Sequence, residues 1–130
     1  MRYVSLIFFL FCLWSCSNDF ESLSGVWVAE SLESGSQACE EELLDDYILD
    51  IDATSESYGL QLDINGCSGL ISKARNGEIN FKPGACTEAC CDSDGAICLL
   101  QVLSRVERYE FDGDRLILST SSAEIIFRAQ

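Results

Sequence analysis

Histidine is absent from this chain of 130 residues, and lysine and arginine are scarce. Without an imidazole base, neither a Ser-His-Asp triad nor a Cys-His pair can form. The 8 cationic side chains stand against 22 Asp and Glu, which gives a formal net charge of −14. Because nucleic-acid binding depends on Lys and Arg that displace counterions, we expect no nucleic acid among the partners.

Long apolar runs are missing as well. The first apolar run, Val4–Trp14, is shorter than the roughly 18 to 20 residues that a membrane-spanning helix needs. It follows Arg2 and leads to Ser15, and this order of a basic start, an apolar middle and a small residue is typical of a secretory signal. We therefore expect residues 1–15 to be a signal peptide that is removed.

The four residues Leu13-Trp14-Ser15-Cys16 resemble the lipobox of bacterial lipoproteins, although Trp14 stands where a small or β-branched residue is usual. In that motif the cysteine thiol is acylated and becomes the new N-terminus. The resemblance implies that Cys16 is lipidated, that residues 16–24 form a tether, and that the lipid attaches the protein to a membrane. The expected location is the cell envelope, at the outer membrane or in the periplasm. An unmodified Cys16 would instead give a secreted protein.

Six of the eight cysteines remain once Cys12 and Cys16 are set aside. An even number in a small exported domain favours disulfides, and spacing alone does not choose the connectivity. We expect the neighbours Cys90 and Cys91 to bond elsewhere, because a ring closed between adjacent residues is strained. Zinc is disfavoured, since histidine and a repeated C-x-x-C pair are both missing. The disulfide candidates are Cys39, Cys67, Cys86, Cys90, Cys91 and Cys98.

Alternating apolar residues predict several short antiparallel strands that bury one face. Val26–Ala29 and Tyr47–Asp52 begin this pattern, and Leu60, Leu62 and Ile64 repeat it. Further strands are predicted at Gly69–Arg75, Ile79–Phe81, Tyr109–Phe111, Leu116–Leu118 and Ile125–Phe127. Turns are predicted at Asn65-Gly66, Asn76-Gly77 and Asp112-Gly113.

One helix is predicted after a loop. The segment Lys82–Gly95 contains the only proline and three cysteines, so we expect a loop fixed by disulfides. Apolar residues then recur at helical spacing, and Ser93 or Asp94 is the expected N-cap. The apolar stripe consists of Leu99, Val102, Leu103 and Val106.

Together these elements predict a mainly β domain at residues 25–130, with about eight short antiparallel strands and one α-helix. We expect this domain to be disulfide-bonded and monomeric. Strands of this number close most economically into a small barrel or a strongly curved sheet, because closure removes exposed edges. Large side chains are expected to face inward and fill the interior: Tyr47, Phe81, Tyr109, Phe111 and Phe127.

Five segments cover most of the chain from Leu23 to Arg128: LSGVWVAESL, NGCSG, TEACC, LLQVLSRVERYEFDGDRLIL and EIIFR. In this order they resemble the META/HslJ-type domain of bacterial envelope lipoproteins. That family usually has Cys-Asn and an aromatic residue before Ser-Gly, whereas here Cys67 is followed directly by Ser68-Gly69. The resemblance implies a non-enzymatic envelope protein, without a cofactor, that supports envelope integrity or stress tolerance through binding. It also implies a disulfide between Cys67 and Cys91.

The segment Gly25-Val26-Trp27, with Arg128 near the other end of the chain, also resembles the lipocalins. That resemblance implies that Trp27 packs inside one end of a barrel, with Arg128 stacked over it in a cation-π contact. We interpret this pair as a structural plug. The alternative function that follows is a carrier of a small hydrophobic ligand, since a barrel of eight strands can hold one.

Acidic residues are concentrated in one part of the chain. Thirteen lie between Asp19 and Asp63, and no Lys or Arg occurs between Arg2 and Lys73. A solvated face that gives solubility is one interpretation, and a docking face for a basic protein partner, as in an acidic adaptor or inhibitor, is the other. Catalysis by paired carboxylates is not expected, because almost all of them fall at outward positions.

One acidic run, EEELLDD, is the candidate for a weak cation site, since hard cations bind carboxylate oxygen. Its carboxylates are Glu40, Glu41, Glu42, Asp45 and Asp46. We expect no other metal site, because Asp92–Gly95 matches the middle of an EF-hand loop but fails at both ends.

Overall fold

The computed structural model describes residues 20–35, 47–73 and 76–130. Four of the sequence predictions fall outside these ranges: the signal peptide, lipidation at Cys16, a disulfide at Cys39, and the weak cation site at residues 40–46. The domain that the structure describes is mainly β, as predicted, with one α-helix and a curled antiparallel sheet.

Eight strands and one α-helix make up the described domain. A short 3-10 turn at Phe20–Leu23 precedes the first strand. The strands are β1 (Gly25–Ser34), β2 (Ile48–Asp52), β3 (Ser57–Gln61), β4 (Gly66–Lys73), β5 (Ile79–Cys86), β6 (Arg108–Asp112), β7 (Arg115–Ser119) and β8 (Ala123–Ala129), and helix α1 (Asp94–Leu103) lies between β5 and β6.

All eight strands belong to one sheet with the order β5-β4-β3-β2-β1-β8-β7-β6, and every pairing is antiparallel. The strands β1 to β5 form one meander, and β6 to β8 form a second one that returns to β1. The first and last strands are therefore neighbours, and the backbone N–H of Gln130 donates to the carbonyl of Val26 at 3.0 Å.

The sheet curls until its two edge strands meet at one end. Glu78 and Arg108 form an isolated antiparallel bridge just before β5 and at the start of β6. Backbone hydrogen bonds flank this bridge, from Ile79 to Glu107 at 3.0 Å and from Tyr109 to Gly77 at 2.7 Å. The strongly curved sheet that the alternation predicted is thus confirmed, since contact between the edges covers part of their unpaired backbone.

The turn at Asn76-Gly77 also matches its prediction. Asn76 has a φ of 60° and Gly77 a φ of 77°, and positive φ at both central residues is the mark of a type I′ hairpin turn. The pair Asn65-Gly66 behaves differently, because Gly66 already belongs to β4 and pairs with Gln61 of β3. The side chain of Asn65 is buried instead of lying at a solvated turn.

The predicted loop at Lys82–Gly95 is wrong in its first part, because β5 continues to Cys86. Pro83 is tolerated there since β5 is an edge strand, where a residue without N–H breaks no pairing on the open side. The register shifts opposite Ser68 and Gly69, so that Gly84 is the extra residue of a β-bulge.

Helix α1 begins as predicted, with Ser93 as its N-cap. The Ser93 hydroxyl accepts a hydrogen bond from the backbone N–H of Ala96 at 3.2 Å, which satisfies one free donor of the first turn. The buried residues of the helix are Gly95, Ala96, Cys98, Leu99, Val102 and Leu103. The helix ends at Leu103, and Val106, the last residue of the predicted stripe, is buried beyond it.

The interior of the curled sheet is packed with large side chains. Tyr47, Phe81, Tyr109 and Phe127 are buried, as predicted, and Phe111 is partly buried against them. Ile64 is an exception to the alternation: it is 54% exposed because β3 ends at Gln61 and the chain turns before β4.

Candidate functional site

Two disulfides differ from the sequence predictions. Cys67 is bonded to Cys86 and not to Cys91, because Cys67 and Cys86 are register partners on β4 and β5 with their Cα atoms 4.0 Å apart. Cys90 and Cys91 are bonded to each other, whereas each was expected to bond elsewhere. The backbone accommodates this pair with a φ of 113° at Cys91, a conformation that residues with a side chain rarely adopt. Cys98 is also disulfide-bonded.

The predicted cation-π contact between Trp27 and Arg128 is wrong, although Trp27 is buried as expected. The Trp27 ring packs near Phe111, with centroids 6.0 Å apart, and its Nε1–H donates to the carbonyl of Leu23 at 2.9 Å. Arg128 follows the buried Phe127, so the strand alternation directs it to the opposite face, across from Val28.

Arg128 belongs instead to a charged cluster on the outer face of the sheet. Its Nε lies 3.8 Å from Glu30, and the Nε of Arg115 lies 3.0 Å from the same carboxylate. The register between β1 and β8 shifts at Glu30, so this carboxylate stands at a β-bulge. All three side chains are substantially exposed, and such ion pairs contribute little to the free energy of unfolding.

A groove of about 580 Å³ lies on the outer face of β1 to β4. Its floor is the row formed by Val26, Asp50 and Gly59, which are register partners on β1, β2 and β3. A second row contains Ile48, Gln61 and Gly66. The two glycines leave the floor open, because a Cβ at either position would come no closer than 4.0 Å to another atom.

The groove lining carries negative charge and no positive charge. Asp50 and Asp63 are its charged side chains, and Gln61 and Gln130 add amides. Ile64 extends into solvent at the rim, and Val26 is half-buried on the floor. The lining therefore combines carboxylates, hydrogen-bonding amides and aliphatic surface.

One wall of the groove is the β3–β4 turn, residues 62–65, and Asn65 holds it in place. Asn65 is the one buried polar or charged residue in the part of the chain that the structure describes. Its Nδ2 donates to the carbonyl of Ala89 and to Asp92, both at 2.7 Å. Its Oδ1 accepts from the Thr87 hydroxyl at 2.8 Å and from the Ala89 N–H at 2.9 Å. All its hydrogen-bonding capacity is used, so the turn is fixed to the segment before α1.

Two carboxylates complete this attachment. Asp92 accepts from the backbone N–H groups of Ile64 and Asn65 at 2.9 and 3.1 Å. Asp63 accepts from the N–H of Ser93 at 2.8 Å, and the Ser93 hydroxyl shares a hydrogen bond of 2.7 Å with Tyr47. The start of α1 is thereby tied to the groove wall through side-chain hydrogen bonds.

Desolvation acts to raise the pKa of Asp63, but hydrogen bonds from Ser93 and Tyr47 outweigh it, and the pKa lies below its ordinary value. The same opposition holds for Asp92, where hydrogen bonds from Asn65 and Ile64 overcome desolvation and lower the pKa. Both carboxylates are therefore ionised acceptors at neutral pH.

Sequence reasoning missed the roles of Asn65, Asp63 and Asp92. Asn65 was assigned to a turn because Gly66 follows it, and Asp92 was considered only as part of an EF-hand loop. One signal was available for the groove: Gly59 stands between the buried residues Tyr58 and Leu60, and a glycine inside a strand marks a site where another backbone can approach.

Neither a metal site nor a membrane-spanning helix is found in the described ranges. No group of three His, Cys, Asp or Glu side chains in residues 20–35, 47–73 and 76–130 is arranged to hold a metal ion. In the same part of the chain, no helix is both long enough and apolar enough to cross a bilayer.

Comparison with known proteins shows the fold alone. No protein-family model and no curated protein matches the chain. A DUF4847 family protein from Bacteroides vulgatus has a similar structure, with a TM-score of 0.66 at 11% identity, covering 85% of this chain and 96% of that one. A protein from Burkholderia xenovorans gives a TM-score of 0.60 at 14% identity, covering 85% and 86%. The resemblance to META/HslJ domains stays a prediction.

Proposed function

We propose that this protein is an exported lipoprotein of the cell envelope, anchored through Cys16, that acts by binding and not by catalysis. Its acidic groove docks a basic, partly apolar segment of another protein, in the envelope role that the META/HslJ resemblance implies. The observation that carries the binding is the groove lining, where both charged side chains, Asp50 and Asp63, are carboxylates next to aliphatic surface.

Export is supported by the cysteine chemistry of the described domain. Cys67 and Cys86 link neighbouring strands, and Cys98 is disulfide-bonded as well. Disulfides of this structural kind form and persist in oxidising compartments outside the cytoplasm. A domain of this kind fits a chain whose first residues have the pattern of a signal peptide and lead to Cys16.

A binding role also fits the state of the carboxylates. A general acid must hold a proton near neutral pH, and this requires a raised pKa. The pKa values of Asp63 and Asp92 are lowered by hydrogen bonds. These groups serve as fixed acceptors, and Asp50, which is exposed on the groove floor, can attract a cation from the partner.

The groove predicts a weak and salt-dependent interaction. An exposed ion pair contributes only about 0.2 to 1 kcal/mol, so the affinity must come from several contacts along the segment. Lys side chains of the partner would lie near Asp50, and aliphatic side chains would lie on Val26 and Ile64. Screening by salt weakens the first kind of contact and leaves the second.

The anchor is tested by the intact mass of the protein isolated from its own membranes, before and after reduction and thiol alkylation. The expected mass is that of residues 16–130 plus acyl chains, with further thiols appearing only after reduction. The matched control is Cys16→Ser, which should lose the acyl mass. An unmodified chain that begins beyond Cys16 would contradict the anchor.

Groove binding is tested with two labelled peptides, Lys-Val-Lys-Val-Lys and Glu-Val-Glu-Val-Glu, by fluorescence polarisation at low and high salt. We expect only the basic peptide to bind, and more weakly at high salt. Asp50→Lys should weaken binding severalfold, whereas the control Asp114→Lys makes the same charge change at an exposed site outside the groove. Equal loss in both variants would show a net-charge effect and overturn the groove as the site.

A carrier with its ligand inside the barrel, the lipocalin-like alternative, receives no support from the packing. The space within the curl is occupied by Tyr47, Phe81 and Phe127, which are all buried.

A further inference from the structure

A second and smaller pocket lies between the β4–β5 hairpin and α1. Its volume is about 190 Å³. The wall is mostly apolar and includes the Cys67–Cys86 disulfide, Pro83 and Leu100. No charged side chain lines it, in contrast to the outer groove, with which it shares only Cys67.

Tyr58 is the aromatic residue of this pocket, and its ring is fixed from two sides. The side chain is 4% exposed and packs edge-on against Phe81, with ring centroids 5.2 Å apart. A Cβ at Gly69 would lie 2.9 Å from the Cζ atom of the Tyr58 ring. Because Cζ carries the hydroxyl, the hydroxyl end of the ring lies beside the backbone of Ser68 and Gly69, where the pocket opens.

The Tyr58 hydroxyl has no hydrogen-bond partner among the described residues, and burial is the one influence on its pKa, which is raised. Within the same residues, no fully enclosed side-chain nitrogen or oxygen lacks a partner. The hydroxyl therefore reaches accessible space, and the pocket is the space that Tyr58 lines. A ligand atom in this space can accept the hydrogen bond that the hydroxyl is able to donate.

We propose that this pocket binds a small uncharged molecule, about the size of one ring with a short substituent, whose carbonyl oxygen accepts a hydrogen bond from Tyr58. The size follows from the volume, since a cavity of roughly 150 Å³ holds benzene. The absence of charged lining residues selects an uncharged ligand. The hydroxyl stays protonated at neutral pH and acts as the donor. This site is independent of the lipid anchor and of the acidic groove.

The probe for the test is 4-fluoroacetophenone, added to the full chain in detergent micelles with ¹³C-labelled leucine methyl groups. Leu100 lines the pocket and reports binding, and Leu116, which is fully buried in β7, serves as the internal reference. We expect a saturable shift of the Leu100 methyl signals and none at Leu116. Tyr58→Phe should weaken binding about fivefold, the effect of one neutral hydrogen bond.

A blocking variant separates the pocket from partition into the micelle. Gln101→Trp places a large ring over the pocket from an exposed position of α1 and should abolish the shift. The control, Ile97→Trp, makes a similar change at an exposed site of the same helix outside the pocket and should leave binding intact. No saturable shift in the unchanged chain, or an equal shift in Gln101→Trp, would overturn the proposal.

The unpartnered hydroxyl has a second consequence that does not depend on the probe. Tyr58→Phe removes only that hydroxyl, so its midpoint of thermal unfolding should equal or exceed that of the unchanged chain. A clearly lower midpoint would show that the hydroxyl has a partner in the protein, and the proposed donor role would be excluded.

Discussion

The two faces of the β3–β4 pair both carry glycines, but in opposite surroundings. On the outer face, a Cβ at Gly59 or Gly66 would stay 4.0 Å from its nearest contact. On the inner side, a Cβ at Gly69 would lie 2.7 Å from the Tyr58 ring and closer still to the carbonyl oxygen of Lys82. The same residue type thus leaves space on one face and allows close approach on the other.

The difference shows that the inner side of this sheet packs against the protein's own residues, whereas the outer face is accessible to other molecules. The inner side carries the bulge, the Cys67–Cys86 disulfide and the contact of Tyr58 with Phe81. The outer face has a groove whose wall is held by hydrogen bonds of Asn65 and Asp92. Substitutions inside should therefore change the free energy of unfolding, and substitutions outside should change binding.

Removal of the inner disulfide should have the largest effect. The double variant Cys67→Ala with Cys86→Ala is expected to lower the free energy of unfolding by about 3 kcal/mol, because the bond closes a loop with a sequence separation of 19. Denaturant unfolding measures this. The control is Cys90→Ala with Cys91→Ala, which opens no long loop and should change stability by less than about 0.5 kcal/mol. Equal losses would contradict the pairing.

Crowding at the inner glycine gives the next largest effect. Gly69→Ala should lower the free energy of unfolding by about 2 kcal/mol, since the new methyl group overlaps the Tyr58 ring and the Lys82 carbonyl. The matched outer substitution, Gly66→Ala, has room for its methyl group and should be near neutral. Chemical denaturation measures the free energy of unfolding of both variants. A greater loss of stability in Gly66→Ala would contradict the assignment of Gly66 to an open face and Gly69 to a crowded one.

Low pH should weaken the hydrogen bonds that hold the groove wall, residues 62–65, before it affects the inner side of the sheet. The folded-state pKa values of Asp63 and Asp92 lie below the ordinary value of 3.8, so these groups stabilise the fold above that pH and lose their contribution as the pH falls through the lowered pKa. Protection of the Ile64 and Asn65 amides from hydrogen exchange should fall first. In Asp92→Asn their protection should already be reduced at neutral pH. If the backbone amides of β5 lost their protection at the same pH, this order would be contradicted.

The smallest expected effect is a gain in stability. Gly59→Val should raise the free energy of unfolding by about 0.5 kcal/mol, because a β-branched residue suits a strand and restricts the unfolded chain. The same side chain fills the floor of the groove and should weaken binding of the Lys-Val peptide. Unfolding and polarisation measurements together test this, and a destabilised variant would show that the outer face is less open than its geometry indicates.

Much of the fold was predictable because apolar residues recur with a different period in strands and in helices. Leu49 and Ile51 in β2, and Leu116 and Leu118 in β7, are buried at alternate positions as the pattern indicated. The disulfide between Cys67 and Cys86 was not predictable, because it depends on a β4–β5 register that a bulge shifts by one residue.

The groove was beyond sequence reasoning for a related reason. Its floor exists only because Val26, Asp50 and Gly59 come into one row, and this row depends on two independent strand registers. The role of Asn65 depends on contacts with residues more than twenty positions away, at Ala89 and Asp92. Local turn statistics contain no information on such partners.

The pairing of β1 with β8 brings the two ends of the described domain to one pole. β1 begins there at Gly25, and Gln130, hydrogen-bonded to Val26, reaches the same point. Any label or fusion placed after Gln130 would therefore sit beside the start of β1. A reporter meant to stay clear of both ends belongs at the other end of β1, in the turn of residues 120–122 between β7 and β8.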